Sequence, residues 1–177
     1  MVEHNVRDLD FVIKLFDGFF SQKRIQKRLD VIDNRYITGW EIWFQIEFAT
    51  YLDMKEESIS EWYREYPYST DKRKTSQKKM FIDFLVRQKY AKKDSFVALE
   101  LKQNISGKKC VNNMIKDINK VISMRKSESD IRSFWNVGVY LEDIDEDEIK
   151  NILEPYINNK YMKIKQIKNT NFSYIIF

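Results

Sequence analysis

Histidine and cysteine are scarce in this sequence, which has one of each among 177 residues. A lone cysteine, Cys110, excludes an intrachain disulfide and a zinc site built from several thiolates. The only histidine, His4, lies near the N-terminus, which argues against Ser-His-Asp, Cys-His and His-ligand chemistry. The single cysteine indicates a protein of a reducing compartment. Any chemistry must come from side chains other than histidine and cysteine.

Long apolar runs are also missing. No stretch approaches membrane-spanning length, and the opening MVEHNVRDLD lacks the basic start and apolar core of a signal peptide. We therefore expect a soluble, cytoplasmic protein with no membrane partner. An apolar fraction of 43% in a chain of this length predicts a single folded domain over residues 1–177.

The net charge of +4 is small but unevenly spread. Basic residues are concentrated at Lys23–Arg28, Lys72–Lys79, Arg87–Lys93 and Lys108–Lys109, whereas Glu142–Glu148 is acidic. Solvated loops and helix faces are the ordinary explanation of such runs. The alternative is a phosphate-facing surface, because a local basic field attracts a polyanion more than the total charge does.

Glycine and proline are rare in this chain, so the spacing of its apolar residues is the main indication of where helices and strands lie. One helix is predicted over about residues 8–30, and a second from Thr38 as N-cap, with Glu41 completing a capping box. Strands are predicted at 60–68, 79–88, 95–103, 134–142 and as a terminal pair within 161–177, and further helices at 108–126 and 145–157. A right-handed parallel crossover from the third strand to the fourth would then give an α/β fold with a mixed β-sheet flanked by helices.

Three charged residues interrupt the apolar strands. Asp83 is the one acid in MFIDFLV, and FVALELKQN places Glu100 and Lys102 on one face of the next strand. A short hairpin between these strands would bring Asp83 beside Glu100, where two carboxylates repel each other unless a cation lies between them. Oxygen ligands without histidine or cysteine favour Mg²⁺ or Mn²⁺. Lys102 would then face an attacking water or a phosphate.

This arrangement resembles the PD-(D/E)XK nuclease superfamily. FID at Phe81–Asp83 is similar to its first acidic position, and ELK at Glu100–Lys102 to its acid, spacer and lysine. The resemblance covers about residues 38–141, and Ile82 stands where some members have proline. It implies a restriction-endonuclease-like core (helix, three antiparallel strands, helix, strand), with an N-terminal helix in 1–37 and a C-terminal helix and strand pair in 142–177.

The resemblance also implies a Mg²⁺- or Mn²⁺-dependent nuclease that hydrolyses phosphodiester bonds, with DNA as its partner. Asp83, Glu100 and the carbonyl of Leu101 would hold the metal, and Lys102 would orient or activate water. Glu47 would join them, because many members carry a glutamate on the helix before the sheet. A surface carboxylate is an equal interpretation of Glu47.

Basic loops and polar residues near the site complete the expected nucleic-acid interface. Its members are Lys72, Arg73, Lys74, Lys78, Lys79, Gln103, Lys108 and Lys109. On the following helix, surface solvation or an ion pair of Asp117 is the first expectation, and phosphate contact is the second.

Other interpretations remain open. RNA cleavage by the same site is one, and a nuclease-like module that binds or assembles without cutting is another. A Glu100–Lys102 salt bridge with Asp83 on a loop is a third. A homodimer or a partner protein is compatible with all of them.

Overall fold

A computed structural model describes residues 2–71, 73–74, 76, 79–122, 130–142 and 144–177. The helices in these ranges are α1 (Val2–Phe20), α2 (Lys23–Asn34), α3 (Glu41–Asp53), α4 (Gly107–Ile122) and α5 (Glu146–Leu153). The strands are β1 (Ile59–Ser69), β2 (Lys79–Gln88), β3 (Phe96–Ser106), β4 (Ile131–Glu142), β5 (Lys163–Gln166) and β6 (Ser173–Ile176). None of the described helices is long and apolar enough to cross a membrane.

The six strands form one mixed sheet in the order β1-β2-β3-β4-β6-β5. β3 and β4 are parallel, with α4 between them in the chain, and the other neighbouring pairs are antiparallel. The predicted mixed sheet, its strand positions and the terminal strand pair are confirmed. α5 is also confirmed: Asp145 caps it by accepting bonds from the N–H groups of Asp147 and Glu148, and it ends before Pro155.

The first predicted helix is wrong in its continuity, because it is two helices that meet at Ser21 and Gln22. Gln22 is extended, with φ −70° and ψ 122°. The apolar spacing continues across this turn from Phe20 to Ile25, and neither glycine nor proline marks it, so the period does not reveal it.

The predicted start of the next helix is also wrong. α3 begins at Glu41 with Trp40 as N-cap, and no side chain caps it. Thr38 and Glu41 therefore form no capping box. The Glu41 side chain instead faces the sheet, where it contacts Lys102 of β3.

Helices pack on both sides of the sheet. One buried cluster joins α1, α2 and α3 to residues of β2, β3 and β4, including Phe84, Leu99 and Val137. A second joins α4 and α5 to β4 and β6. The end of β3 lies close to the start of two helices. α4 follows β3 directly, and Lys102 near the end of β3 contacts Glu41 at the start of α3.

Candidate functional site

The candidate site begins where β2 and β3 stop pairing. Their registered pairs are Phe84–Leu99, Leu85–Ala98 and Val86–Val97. Asp83 lies one residue before this ladder in β2, and its Oδ2 accepts a hydrogen bond from the main-chain N–H of Leu101 at 2.8 Å. A carboxylate thus replaces the main-chain acceptor that a longer ladder would supply.

Lys102 lies among four carboxylates. Its Nζ is 3.4 Å from Asp117 Oδ2 and 3.6 Å from Glu41 Oε1. Burial lowers the pKa of Lys102, but Asp117, Glu41, Asp83 and Glu100 raise it, and the net shift is upward. Lys102 is therefore a cation at neutral pH. Of the two states first expected for Asp117, solvation or an ion pair, the structure shows the ion pair, and its partner is Lys102 of β3.

Glu41 is the helix carboxylate that faces this group. Burial raises its pKa, Lys102 lowers it, and the charges of Asp83 and Asp117 raise it further, with a net upward shift. Burial is the largest cause of this shift, and the carboxylates of Asp83 and Asp117 oppose Lys102 by adding a negative field. Such a field favours a bound cation.

Glu47, which we expected in the site, lies elsewhere on α3. It is buried and forms ion pairs with Arg24 and Arg28 of α2. Glu41 and Glu47 are six residues apart, which places them on different sides of the helix. Glu47 therefore links α3 to α2, and Glu41 is the glutamate of this helix that contacts Lys102.

Glu100 is the most deeply buried acid of the group, at 1% exposure. Its neighbour in the parallel ladder is Asn136 of β4, also 1% exposed. Asn136 Oδ1 has no hydrogen-bond partner among the described residues. Asn136 was not among the residues expected at the site, although a lone amide in the apolar run FWNVGVYL was a signal for it.

The donor set fits a hard divalent cation. Asp83, Glu100 and the carbonyl of Leu101 offer only oxygen, which Mg²⁺ and Mn²⁺ prefer. Among the described residues, however, no group of three or more acidic, histidine or cysteine side chains is arranged to hold a metal ion. Glu41 is engaged by Lys102, so its recruitment as a ligand requires that side chain to turn.

Two residues that we expected to contact nucleic acid, Arg73 and Lys108, are paired with carboxylates of this chain. Arg73 is bonded through two nitrogens to Asp71, and this contact lowers the pKa of the Asp71 carboxyl to about 2. Lys108 Nζ lies 2.8 Å from Glu148. These two cations must therefore exchange a carboxylate for a phosphate in order to bind nucleic acid.

The remaining expected contacts divide by location. Gln103 and Lys109 line one cavity at the end of β3. Lys74 and Lys79 lie in or next to the basic loop before β2, and both are exposed. The expected contacts Lys72 and Lys78 lie outside the described residues.

Comparison of the chain with protein-family models, with curated proteins and with solved structures gave no match.

Proposed function

We propose that this protein is a metal-dependent nuclease with a restriction-endonuclease-like core. One observation carries the proposal: Asp83, Glu100 and Lys102 come together where β2 and β3 part, with Glu41 facing Lys102. The chain order α3, β1, β2, β3, α4, β4 supports the same core, because it matches helix, three antiparallel strands, helix and strand.

The carboxylates have the role of holding the metal. Asp83 and Glu100, with the carbonyl of Leu101, would bind Mg²⁺ or Mn²⁺, and Glu41 takes the helix position first expected for Glu47. When bound, such an ion lowers the pKa of a water ligand and neutralises charge on the phosphate. The hydrogen bond from the Leu101 N–H keeps Asp83 turned toward β3.

Lys102 has an electrostatic role. Because its pKa is raised, its ammonium group does not accept a proton from water near neutral pH. It stabilises the negative charge that develops on the phosphate and orients the water nucleophile. Loss of one such positioned donor costs roughly 10²–10³ in rate.

Two other candidates stay open. RNA is an alternative substrate, since metal-assisted hydrolysis does not use the ribose hydroxyl. A module that binds nucleic acid without cutting it is favoured by one observation, the engagement of Lys102 by Glu41 and Asp117. The structural salt-bridge interpretation placed Asp83 on a loop, and that part of it is wrong, because Asp83 lies within β2.

Cleavage assays test the proposal. Supercoiled plasmid, single-stranded DNA and RNA are incubated with Mg²⁺, with Mn²⁺ or with EDTA, using wild type, Asp83→Asn and Lys102→Met. The matched control is Lys150→Met, since Glu148 and Lys150 repeat the acid, spacer, lysine triplet on α5. Circular dichroism and the thermal midpoint check that each variant folds.

We expect cutting only with metal, its loss in Asp83→Asn and Lys102→Met, and normal cutting in Lys150→Met. The preferred substrate identifies the enzyme as a DNase or an RNase. If folded wild type cuts none of the substrates and Mn²⁺ leaves its thermal midpoint unchanged, the nuclease proposal fails. Binding of nucleic acid in that case would favour the non-cutting module.

A further inference from the structure

Tyr36 lies in an unusual position at the end of α2. The Ile37 N–H donates to the Ile32 carbonyl at 2.9 Å, and the Tyr36 N–H donates to the Asp33 carbonyl at 3.0 Å. This pair of bonds is a Schellman motif, in which Tyr36 occupies the left-handed position with φ 52°. Glycine is the usual residue there, because a Cβ is disfavoured in that conformation.

The ring of Tyr36 also contributes little to the core. The residue is 84% exposed, so neither backbone preference nor packing accounts for a large aromatic side chain here. A strained, exposed aromatic residue on its own is not evidence of a site. Evidence for a site comes from the cavity that Tyr36 borders.

Tyr36 and Ile37 form one side of an apolar cavity of about 230 Å³. Buried Trp40 and Phe172 also line it, as does Ile105 of β3. This volume is below the range of pockets for drug-sized ligands, so the cavity suits a single flat ring system. Asn104, another lining residue, accepts the Ser106 N–H with its Oδ1, and its NH₂ group can donate to the edge of such a ring.

A polar cavity adjoins the apolar one at the end of β3. Asn104 and Ile105 line both, and the second cavity, of about 510 Å³, also contains Gln103 and the exposed Lys109. Gln103 directly follows Lys102 in the chain. The apolar cavity and Lys109 therefore both lie at the end of β3, the strand that also carries Glu100 and Lys102.

We propose that these two cavities together form a groove that binds an unpaired nucleobase. The base stacks against Tyr36, and the adjoining phosphate lies near Lys109. The substrate class is then a single-stranded or locally unpaired nucleic acid. This inference rests on the proposed nuclease function and narrows its substrate. A base that is paired and stacked in a duplex presents only its edges, so it does not enter a recess of this size.

The structure offers a matched control for Tyr36. Tyr90, in the turn between β2 and β3, has φ 68° and is 95% exposed. It borders neither of the two cavities described above. Tyr90→Gly therefore removes an aromatic side chain of the same conformation and exposure without touching the groove.

The test measures equilibrium binding of a labelled short DNA oligonucleotide, as a single strand and as a duplex. Binding is measured in EDTA and again with Ca²⁺, using fluorescence anisotropy. We expect the single strand to bind more tightly than the duplex. Tyr36→Gly should weaken single-strand binding about 5- to 150-fold, the usual effect of losing one base–aromatic stack, and Tyr36→Phe should retain it.

Stability separates this effect from unfolding. Because glycine suits the left-handed position, Tyr36→Gly should keep or raise the thermal midpoint while it weakens binding. Tyr90→Gly should leave single-strand affinity unchanged, and Tyr36→Gly should leave duplex affinity unchanged.

Three results would overturn the inference. They are no single-strand binding in either buffer, equal affinity for strand and duplex, and a Tyr36→Gly variant that binds like wild type. Dimerisation of the wild type that Tyr36→Gly abolishes, without single-strand preference, would make the groove an interface between copies. Cleavage without a Tyr36 effect rejects only this inference, whereas Tyr36-dependent binding without cleavage rejects only the nuclease activity.

Discussion

Asp83 in β2 accepts a hydrogen bond from the main-chain N–H of Leu101 in β3, two residues beyond the last registered pair of these strands. The carboxylate therefore has a structural task as well as its proposed role toward a metal. Leu101 is fully buried, so its N–H cannot turn to water if Asp83 is removed. Substitutions that keep or remove the acceptor oxygen should separate the two tasks.

Asp83→Ala should destabilise the fold by about 1–3 kcal/mol, because it leaves the buried N–H without an acceptor. Asp83→Asn retains a carbonyl oxygen and should keep most of that stability. Urea unfolding measures both. In cleavage assays with Mg²⁺, both variants should be inactive, since the amide is a poorer metal ligand than the carboxylate.

Asp147→Asn is the control, because Asp147 is an exposed aspartate of α5. Equal stability losses in Asp83→Ala and Asp83→Asn would mean that the carboxylate charge, and not the hydrogen bond, holds Leu101. Full activity in Asp83→Asn would contradict the proposed metal role.

Strands were the part of the fold that the sequence predicted best. Apolar and polar residues alternate or run together between polar loops, so β2 was predicted at its observed limits and β3 within one residue of its start. The break between α1 and α2 was not predictable from period, because Phe20 and Ile25 both face the same core cluster across the turn. Tertiary packing, not local sequence, sets that turn.

The strand-borne part of the site was likewise predictable, and the helix-borne part was not. Glu100 and Lys102 share a face because the period of a strand is two. α3 is apolar around most of its surface, so the sequence does not tell which side faces the sheet. Glu47 turned toward Arg24 and Arg28, and Glu41 toward Lys102.

Glu41→Gln should change how stability depends on pH. The pKa of Glu41 is raised above 4.5 in the folded protein, so the folded state holds more protons than the unfolded state between the two pKa values. Its contribution to stability is then full below about 4.5 and is lost as pH rises through the folded pKa. Glutamine stays neutral, so Glu41→Gln should gain stability relative to wild type over that rise.

Thermal midpoints of both proteins, measured from pH 4 to pH 8, check this prediction. Lys102 keeps a charged partner in the variant, because its ion pair with Asp117 does not involve Glu41. Glu146→Gln, an exposed carboxylate of α5, is the control. Mn²⁺ should raise the wild-type midpoint more at pH 8 than at pH 5, since its ligands must be ionised. A difference between Glu41→Gln and wild type that falls with pH would contradict the raised pKa of Glu41.

Gly138→Ala should disturb the site from the neighbouring strand β4, on the face of the sheet that α4 covers. Gly138 pairs with Lys102, and a Cβ at this position would lie 2.4 Å from Met114 Sδ and 2.8 Å from Cys110 Sγ. The Met114 and Cys110 side chains, or α4 with them, must therefore shift, at a cost of about 1–3 kcal/mol. Because α4 carries Asp117, the variant should also lose activity.

Urea unfolding and cleavage rates measure the two effects. Gly138→Ala combined with Cys110→Ala removes one of the clashing atoms, so the pair should show a favourable coupling in a double-mutant cycle. Strictly additive losses would mean that Met114, and not Cys110, limits the approach of α4.

Asp8 tests whether the N-terminal helix belongs to the same folding unit as the site. It is 3% exposed and accepts bonds from two nitrogens of Arg132, at 2.8 and 3.0 Å, and from Ser133 Oγ at 2.6 Å. Asp8→Ala leaves Arg132 half-buried without this carboxylate and should cost about 3–5 kcal/mol. Asp10→Ala, which changes an exposed aspartate of the same helix, should cost little.

Urea unfolding followed by circular dichroism and by tryptophan fluorescence distinguishes the possibilities. In a single domain, as the sequence predicts, Asp8→Ala should shift both transitions together to lower urea. Arg132 belongs to β4, the strand whose Asn136 and Gly138 are the neighbours of Glu100 and Lys102, so loss of Asp8 acts directly on the sheet that carries the site. Two separated transitions, with cleavage surviving the first, would instead make α1 an appendage to an independently stable nuclease core.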